Sequence, residues 1–515
     1  MNPKTNANGI ERWGIFELVL KGPTSGNPFI DVTLSAQFSY QNRVLEPDGF
    51  YDGDGTYRVR FMPDVPGVWN YVTRSNVPEL DGQRGKFTCV EALEGVHGPV
   101  SVHNTHHFAY ADGTPYYPFG TTCYAWAHQG DSLEEQTLKT LKEAPFNKIR
   151  MCVFPKDYPF NKNEPVYYPF ERDEAGKSDF TRFSPEFFHH FEHRLGQLGE
   201  LGIEADIIIW HPYDRWGYSR MDADADYGYL RYLIARLSAF HNVWWSLANE
   251  YDFMDKPMER WDRFFEILQQ EDPYQHLRSI HNGNPKNMYD HTKPDVTHVC
   301  IQHSDIRQVV EWRETFGKPI VNDELEYEGN VTYPWGGLCA EEEVHRFWIM
   351  VVNGGYAGHG ETYMHPEDIL WWSKGGVLRG ESWKRIGFLR EIIEAAPVGG
   401  LSPQRGSKEH LFENGAGFGH YLWSRFSGGR IGDYQLVYLE NYQPKLLPVW
   451  LPEGEYKIDI IDTWNMTISP AKVNLLSSPP PYSYSNPNAV DPSHEIELPG
   501  KPRLAIRIIK QRIPV

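Results

Sequence analysis

Two glutamates, Glu250 and Glu324, each close an apolar run in the middle of the chain: Val243-Trp244-Trp245-Ser246-Leu247-Ala248-Asn249-Glu250 and Lys318-Pro319-Ile320-Val321-Asn322-Asp323-Glu324. Carboxylates at the C-terminal ends of two buried parallel strands face one pocket, where such a pair can divide the work of proton donor and nucleophile. Two tryptophans precede Glu250, an apolar setting that favours a protonated carboxyl near neutral pH, as a general acid needs. Asn249 can donate to a hydroxyl beside a scissile glycosidic bond, or serve only the local backbone of a turn. Around the second run the acids crowd together. If that strand stays extended, Glu324, Glu326 and Glu328 share one face and Asp323 takes the other. Glu324 stands at the strand end and is the expected nucleophile; Glu326 is the alternative, and a solvated acidic loop is the bland explanation of the cluster.

Other strand-end residues belong to the same candidate pocket. Tyr124 and Trp126 follow the first expected strand, and Arg150 lies on the second, where it suits an ion pair with a catalytic or a structural acid. His211 and Asp214 follow the third, His303 the sixth, and His359 and Glu361 close the eighth. With Asn249 and Glu326, these are the expected substrate-binding residues. The histidines His103, His106, His107, His189 and His190 fall outside this set. A zinc-hydrolase barrel needs a His-x-His pair on its first strand, and that strand reads Pro118-Phe119-Gly120-Thr121-Thr122-Cys123-Tyr124. No metal and no cofactor is therefore expected.

The elements that must hold these residues alternate between short apolar runs and helical periodicity. Eight strands are expected near Tyr117–Thr122, Lys148–Val153, Ile203–Trp210, Val243–Ala248, Arg278–Asn282, Thr297–Gln302, Pro319–Asp323 and Gly355–Gly360. Helical stretches lie between most of them, at Leu230–Phe240, Met258–Leu268, Ile306–Phe316 and Glu342–Val352. Another helix is marked by Ser184 as N-cap, Pro185 in the first turn and an apolar face through Phe187, Phe188, Phe191, Leu195 and Leu198, ending at Gly202. Eight such units within 100–396 predict a (β/α)8 TIM barrel. A doubly wound open sheet is the alternative, but no glycine-rich phosphate turn follows an early strand.

Residues 1–95 read as an Ig-like β-sandwich: Val32, Leu34, Ala36, Phe38 and Tyr40 alternate with polar residues, Gly-rich turns follow, and Tyr57, Val59 and Phe61 resume the alternation. Beyond Pro397-Val398-Gly399-Gly400 the helical period vanishes. Expected strands at Gln435–Glu440, Glu455–Ile461 and Ala505–Ile509 make 400–515 a small C-terminal β-sandwich, interrupted by a proline-rich connector at 477–485.

Composition narrows the partners. A formal charge of −19 argues against nucleic acid, which is bound through Lys and Arg, and suits a neutral saccharide. Aromatics at 14% supply flat rings that fill cores or stack on sugar faces. Five scattered cysteines (Cys89, Cys123, Cys152, Cys300 and Cys339) fit reduced, buried thiols better than a disulfide framework. No signal-like segment opens the chain, and no run reaches the roughly 18 apolar residues of a membrane span. The expectation is a cytoplasmic protein acting on a small saccharide or glycoside, as a monomer or homo-oligomer.

The Asn-Glu ending one run and the glutamate ending the other resemble the retaining glycoside hydrolases of the large (β/α)8 clan. More narrowly, Asn322-Asp323-Glu324, Tyr327-Glu328-Gly329-Asn330 and Gly355-Tyr356-Ala357-Gly358-His359-Gly360 resemble the apiosidase-like family of glycoside hydrolases. Asp48-Gly49-Phe50-Tyr51-Asp52-Gly53 and Pro66-Gly67-Val68-Trp69 are similar to the sandwich that precedes such barrels. The resemblance implies Glu250 as acid/base and Glu324 as nucleophile of a retaining glycosidase, and the expected cytoplasmic location, with short imported saccharides as substrates, favours exo action. A catalytically silent glycan-binding protein and a metal-dependent hydrolase on the same barrel are the rival readings.

Overall fold

In the computed structural model the described residues are 9–367, 369–397, 399–404, 427–430, 432–478 and 493–511. Residues 1–8 and, from residue 479 on, the proline-rich connector lie outside them. At the centre stand eight parallel strands: β1 (Phe119–Thr122), β2 (Lys148–Cys152), β3 (Glu204–Trp210), β4 (Val243–Ala248), β5 (Arg278–Ser279), β6 (Val299–Gln302), β7 (Ile320–Glu324) and β8 (Tyr356–His359). Their order is β5-β4-β3-β2-β1-β8-β7-β6, so β8 pairs with β1 as a TIM barrel requires. The last seam, between β5 and β6, is closed by side chains as much as by backbone. Thr297 N donates to Arg278 O at 3.0 Å, and the Asn282 amide bridges to Gln302 O at 3.2 Å. That explains why the fifth strand, expected through Asn282, is only two residues long.

Strands β2, β3 and β4 are buried along their whole length, because helices cover their outer face and layered side chains fill the inner one. The helix Pro185–Glu200 begins where the sequence predicts, with Pro185 in its first turn. Ser184 occupies the N-cap position, but its side chain makes no capping hydrogen bond. Beneath the site, buried Lys148 on β2 donates to Asp206 on β3 at 2.6 Å and to Asp323 on β7 at 3.0 Å. Burial alone would lower the Lys148 pKa, but the two carboxylates more than offset it and hold the ammonium charged.

Ahead of the barrel, a five-stranded and a three-stranded sheet enclose a core that includes Leu34, Ala36, Phe38, Tyr57, Val59, Phe61 and Trp69. The alternating strand begins at Leu34 rather than Val32, since Pro28–Asp31 form a short helical turn. This domain docks through charge: Arg60 Nη2 donates to Glu192 at 2.9 Å, and Arg236 Nη1 to Asp52 at 2.8 Å, all four buried. At the other end, strands including Tyr434–Tyr438, Tyr456–Asp462 and Leu504–Lys510 form a five-stranded sheet facing a three-stranded one across an apolar core. The outer face of that five-stranded sheet joins Tyr438, Ile461 and Ala505 to the barrel core. All five cysteines are free thiols; four are buried and Cys339 is exposed, against the expectation that all are buried. Among the described residues, no helix is long and apolar enough to cross a membrane.

Candidate active site

A cavity of 480 Å³ opens at the C-terminal rim of the barrel, and both Glu250 and Glu324 line it. This volume lies in the range of small-molecule sites. The chain reaches it from β4 through a break in regular geometry: Asn249 is buried, and Glu250 adopts a left-handed backbone with φ 56° and ψ 56°. Non-glycine residues enter that region at a cost, and such residues cluster at functional sites. Gly283, after β5, makes room for the bend. A Cβ there would lie 2.5 Å from the Phe253 ring and 3.0 Å from Glu250 Cβ.

Strand β7 delivers Glu324 by a different irregularity. Ile301 pairs with Asn322 but Gln302 pairs with Glu324, so Asp323 bulges out of register against β6. A bulge re-aims side chains, which lets Asp323 reach Lys148 while Glu324 reaches the cavity. Strict alternation does not continue past this point. Glu326 has φ 75° and pairs with Arg346 at 2.8 Å, although it still lines the cavity. Glu328 turns away into a sealed cluster behind β8. The shared face expected for Glu324, Glu326 and Glu328 is therefore absent, because the strand ends at Glu324.

The two carboxyls have unlike partners. Glu324 Oε1 receives Arg150 Nη1 at 3.0 Å and the Tyr124 hydroxyl, and the neutral, buried His281 places Nε2 at 3.8 Å. Arg150 also donates to the Tyr124 oxygen at 3.0 Å, and Asn249 Oδ1 lies 2.9 Å from that oxygen. The single phenol proton goes to the carboxylate, the stronger acceptor. Glu250 Oε2 receives the Tyr213 hydroxyl and Asn249 Nδ2 at 3.0 Å. Burial first, and the charge of Glu324 second, push the Glu250 pKa up to about 7; Lys156, the Tyr213 hydrogen bond and Arg150 pull the other way. One carboxyl is thus ion-paired and its neighbour is poised to carry a proton.

Of the residues named from the sequence, Tyr124, Asn249, Glu250, His303, Glu324 and Glu326 line the cavity. Arg150 stands behind Glu324. The other five candidates do not line it. Trp126 is fully buried, its indole N–H on Met151 Sδ at 3.2 Å, because the chain after β1 turns into a short 3₁₀ segment that carries the ring inward. His211 bonds Phe154 O at 3.2 Å. Asp214 accepts from the backbone N–H groups of Trp216, Gly217 and Ser219 and builds its own loop. His359 stacks on Phe146 at 4.6 Å and contacts Thr121 Oγ1 at 2.9 Å inside the barrel. Glu361 accepts from Arg379 N at 2.6 Å and Gly380 N at 2.7 Å, well packed and away from the cavity.

The residues that sequence reasoning passes over come from the connections after the strands, Trp335 and Trp372 from short helical turns within them. Lys156, Tyr158 and Phe160 follow β2, Tyr213 follows β3, and Tyr333, Trp335 and Trp372 follow β7 and β8. Their rings form one wall: Trp335 lies 4.9 Å from Trp372 and stacks on Tyr333 at 5.7 Å. Flat rings of this kind pack against the apolar faces of sugars. Elsewhere, Asp131, Glu134 and His190 converge with the spacing of a metal site, but Arg194 donates to both acids at 2.7 Å, so a guanidinium already satisfies them.

Residues 102–390 match the model of the apiosidase-like catalytic domain. Residues 9–76 and 423–509 match two domains of unknown function, DUF5060 and DUF5605. A Bacteroides vulgatus ATCC 8482 crystal structure, provisionally designated a glycoside hydrolase, is 38% identical over 98% of this chain and 100% of its own, with a TM-score of 0.88. A family 5 glycoside hydrolase from the same organism shares the fold at 13% identity and TM-score 0.57, over 80% of this chain and 94% of its own. No curated protein sequence matches.

Proposed function

The chain belongs to the apiosidase-like family, and from that membership and the carboxyl pair we propose that it is a retaining glycoside hydrolase. Its substrates are the O-glycosidic bonds of short oligosaccharides or glycosides. Glu324 attacks the anomeric carbon as Glu250 gives its proton to the departing glycosidic oxygen. Glu250, now ionised, takes a proton from water as that water attacks the glycosyl ester, which frees Glu324 and releases the sugar with its configuration retained. The observation that carries the reading is the asymmetry of two acids on one cavity: Glu324 is ion-paired to Arg150, whereas burial lifts Glu250 to about 7. Asn249, whose Nδ2 donates to Glu250, is the residue to which we assign the hydrogen bond to the hydroxyl next to the scissile bond. The modest cavity walled by Phe160, Trp335 and Trp372 supports exo action on a terminal sugar.

The test is a panel of aryl pyranosides and furanosides, with proton NMR identifying the first anomer released. Retention is expected. Inversion rejects the double displacement, and glycan binding without turnover rejects the enzyme reading altogether. Loss of activity on chelation would move the chemistry to a metal.

A further inference from the structure

Among the described residues, Lys148, Lys156, Lys256 and Lys374 are buried in the barrel domain, and Lys156 has no acid for a partner. Lys148 donates to Asp206 and Lys256 to Asp226, each at 2.6 Å. Lys156 is 1% exposed, and among the described residues no carboxylate lies within ion-pairing distance of its ammonium. It lies instead among aromatic rings, with Nζ 3.4 Å from the centroid of Tyr124, 4.4 Å from Tyr213 and 4.6 Å from Tyr158. A cation over ring faces is attracted by their quadrupoles, the more so when water is excluded. Tyr124 and Tyr213 are the two phenols that reach the two carboxyls, Tyr124 to Glu324 and Tyr213 to Glu250. Lys156 therefore sits between the two arms of the site and also lines the cavity.

We propose that Lys156 is a positioning residue of this site: its ammonium clamps both phenol rings against their carboxyls, and its charge lets Glu250 serve in turn as acid and as base. The inference rests on the retaining reading above for its meaning. Glu250 is faced by Tyr213 from the loop after β3, by Glu324 from β7, by Arg150 from β2 and by Lys156. Burial lowers the Lys156 pKa from the ordinary lysine value and Arg150 adds to this, while Cys152 and both glutamates, which also face the ammonium, favour its charge; the neutral His211 lies beside it. Arg150 is hydrogen-bonded to Glu324 and to Tyr124, so its charge is already engaged. Only Lys156 is uncommitted. Before attack, the negative Glu324 favours a proton on Glu250. Once Glu324 is a neutral ester that push disappears, the pull of Lys156 remains, and Glu250, which has given its proton to the departing oxygen, stays ionised to receive the proton of water.

The experiment needs no substrate. Carbon-13 NMR of the unliganded protein follows the Glu250 carboxyl through its titration, assigned by its loss in Glu250→Gln. Lys156→Met keeps the length and removes the charge, and should move the midpoint upward by about one pH unit. Lys156→Arg, which restores a cation, should bring it back toward the wild-type value. An unmoved midpoint in Lys156→Met overturns the proposal and leaves Lys156 a spacer. Should that variant not fold, the reciprocal measurement decides: the Lys156 ammonium must titrate lower in Glu250→Gln than in wild type by the same amount, because the coupling is mutual. Equal Lys156 midpoints there also overturn it. Hydrolytic inactivity on every glycoside would reject the glycosidase reading while these titrations still stand.

Discussion

Buried carboxyls gather in two places at the top of this barrel, and only one of the two is open. On the cavity side, Glu250 and Glu324 meet hydroxyls, an amide and cations, and leave room between the walls for another molecule. Behind β8, Glu328, Glu343 and Glu361 are sealed. Glu328 accepts from the backbone of Glu381 and Ser382, Glu343 from Glu328 N and Ser382 Oγ, and Glu361 from Arg379 N and Gly380 N. Burial raises Glu343 well above the carboxylate range and lifts Glu361 to about 7, the value Glu250 also reaches. A raised pKa therefore does not distinguish the two sets. Access does: Glu250 and Glu324 line the cavity, whereas Glu328, Glu343 and Glu361 do not, their oxygens taken up by backbone N–H groups and by the hydroxyls of Tyr363 and Ser382.

The strongest way to break this contrast is to remove one acid from each region. Glu324→Ala and Glu250→Ala should each lower kcat on a good aryl glycoside by about 10³-fold or more. Glu361→Gln should change it by only a few-fold. A large catalytic loss in Glu361→Gln, or near-native turnover in either alanine variant, would erase the distinction between the two sets.

A second prediction concerns stability. Glu361 is raised from 4.5 to about 7 on folding, so the stability it contributes is complete below about pH 4.5 and is lost as pH rises through about 7. Glu361→Gln cannot ionise. Between pH 5 and 8 its unfolding free energy should fall less than that of the wild type, by roughly 2–3 kcal/mol, read from denaturant titrations at each pH. Parallel curves would mean that Glu361 is ionised in the folded protein throughout.

Legibility followed the same divide. The barrel was readable because β3 and β4 are short, mostly apolar runs and because a strand's end fixes the depth of the residue after it, which is how Asn249, Glu250 and Glu324 stand out. Glu361 is also a strand-end acid, but its orientation depends on the backbone at Arg379 and Gly380, far along the chain. Lys156 and Phe160 reach the cavity on a loop, and Trp335 and Trp372 on helical turns too short to show a periodicity. Tyr213 shares a short segment with His211 and Asp214, and nothing local says which of the three turns inward. The bulge at Asp323, which decides which acid enters the cavity, is set by pairing with β6 and is invisible in the run itself.

The finest division lies within the open site, between the phenol of Tyr213 and its ring. Its hydroxyl donates to Glu250, while its ring lies 4.4 Å from the Lys156 ammonium. Tyr213→Phe removes the first contact and keeps the second. The lost hydrogen bond stabilises ionised Glu250, so the Glu250 pKa must rise from about 7. Because the first step needs Glu250 protonated, kcat/KM in the wild type should decline above about pH 7, and in Tyr213→Phe that descending limb should move to higher pH. The rate at the optimum should fall about tenfold, since the carboxyl loses the donor that orients it. A limb that stays in place while the rate falls would show that the phenol only shapes the cavity. A limb moving to lower pH would mean that the titrating group is not Glu250.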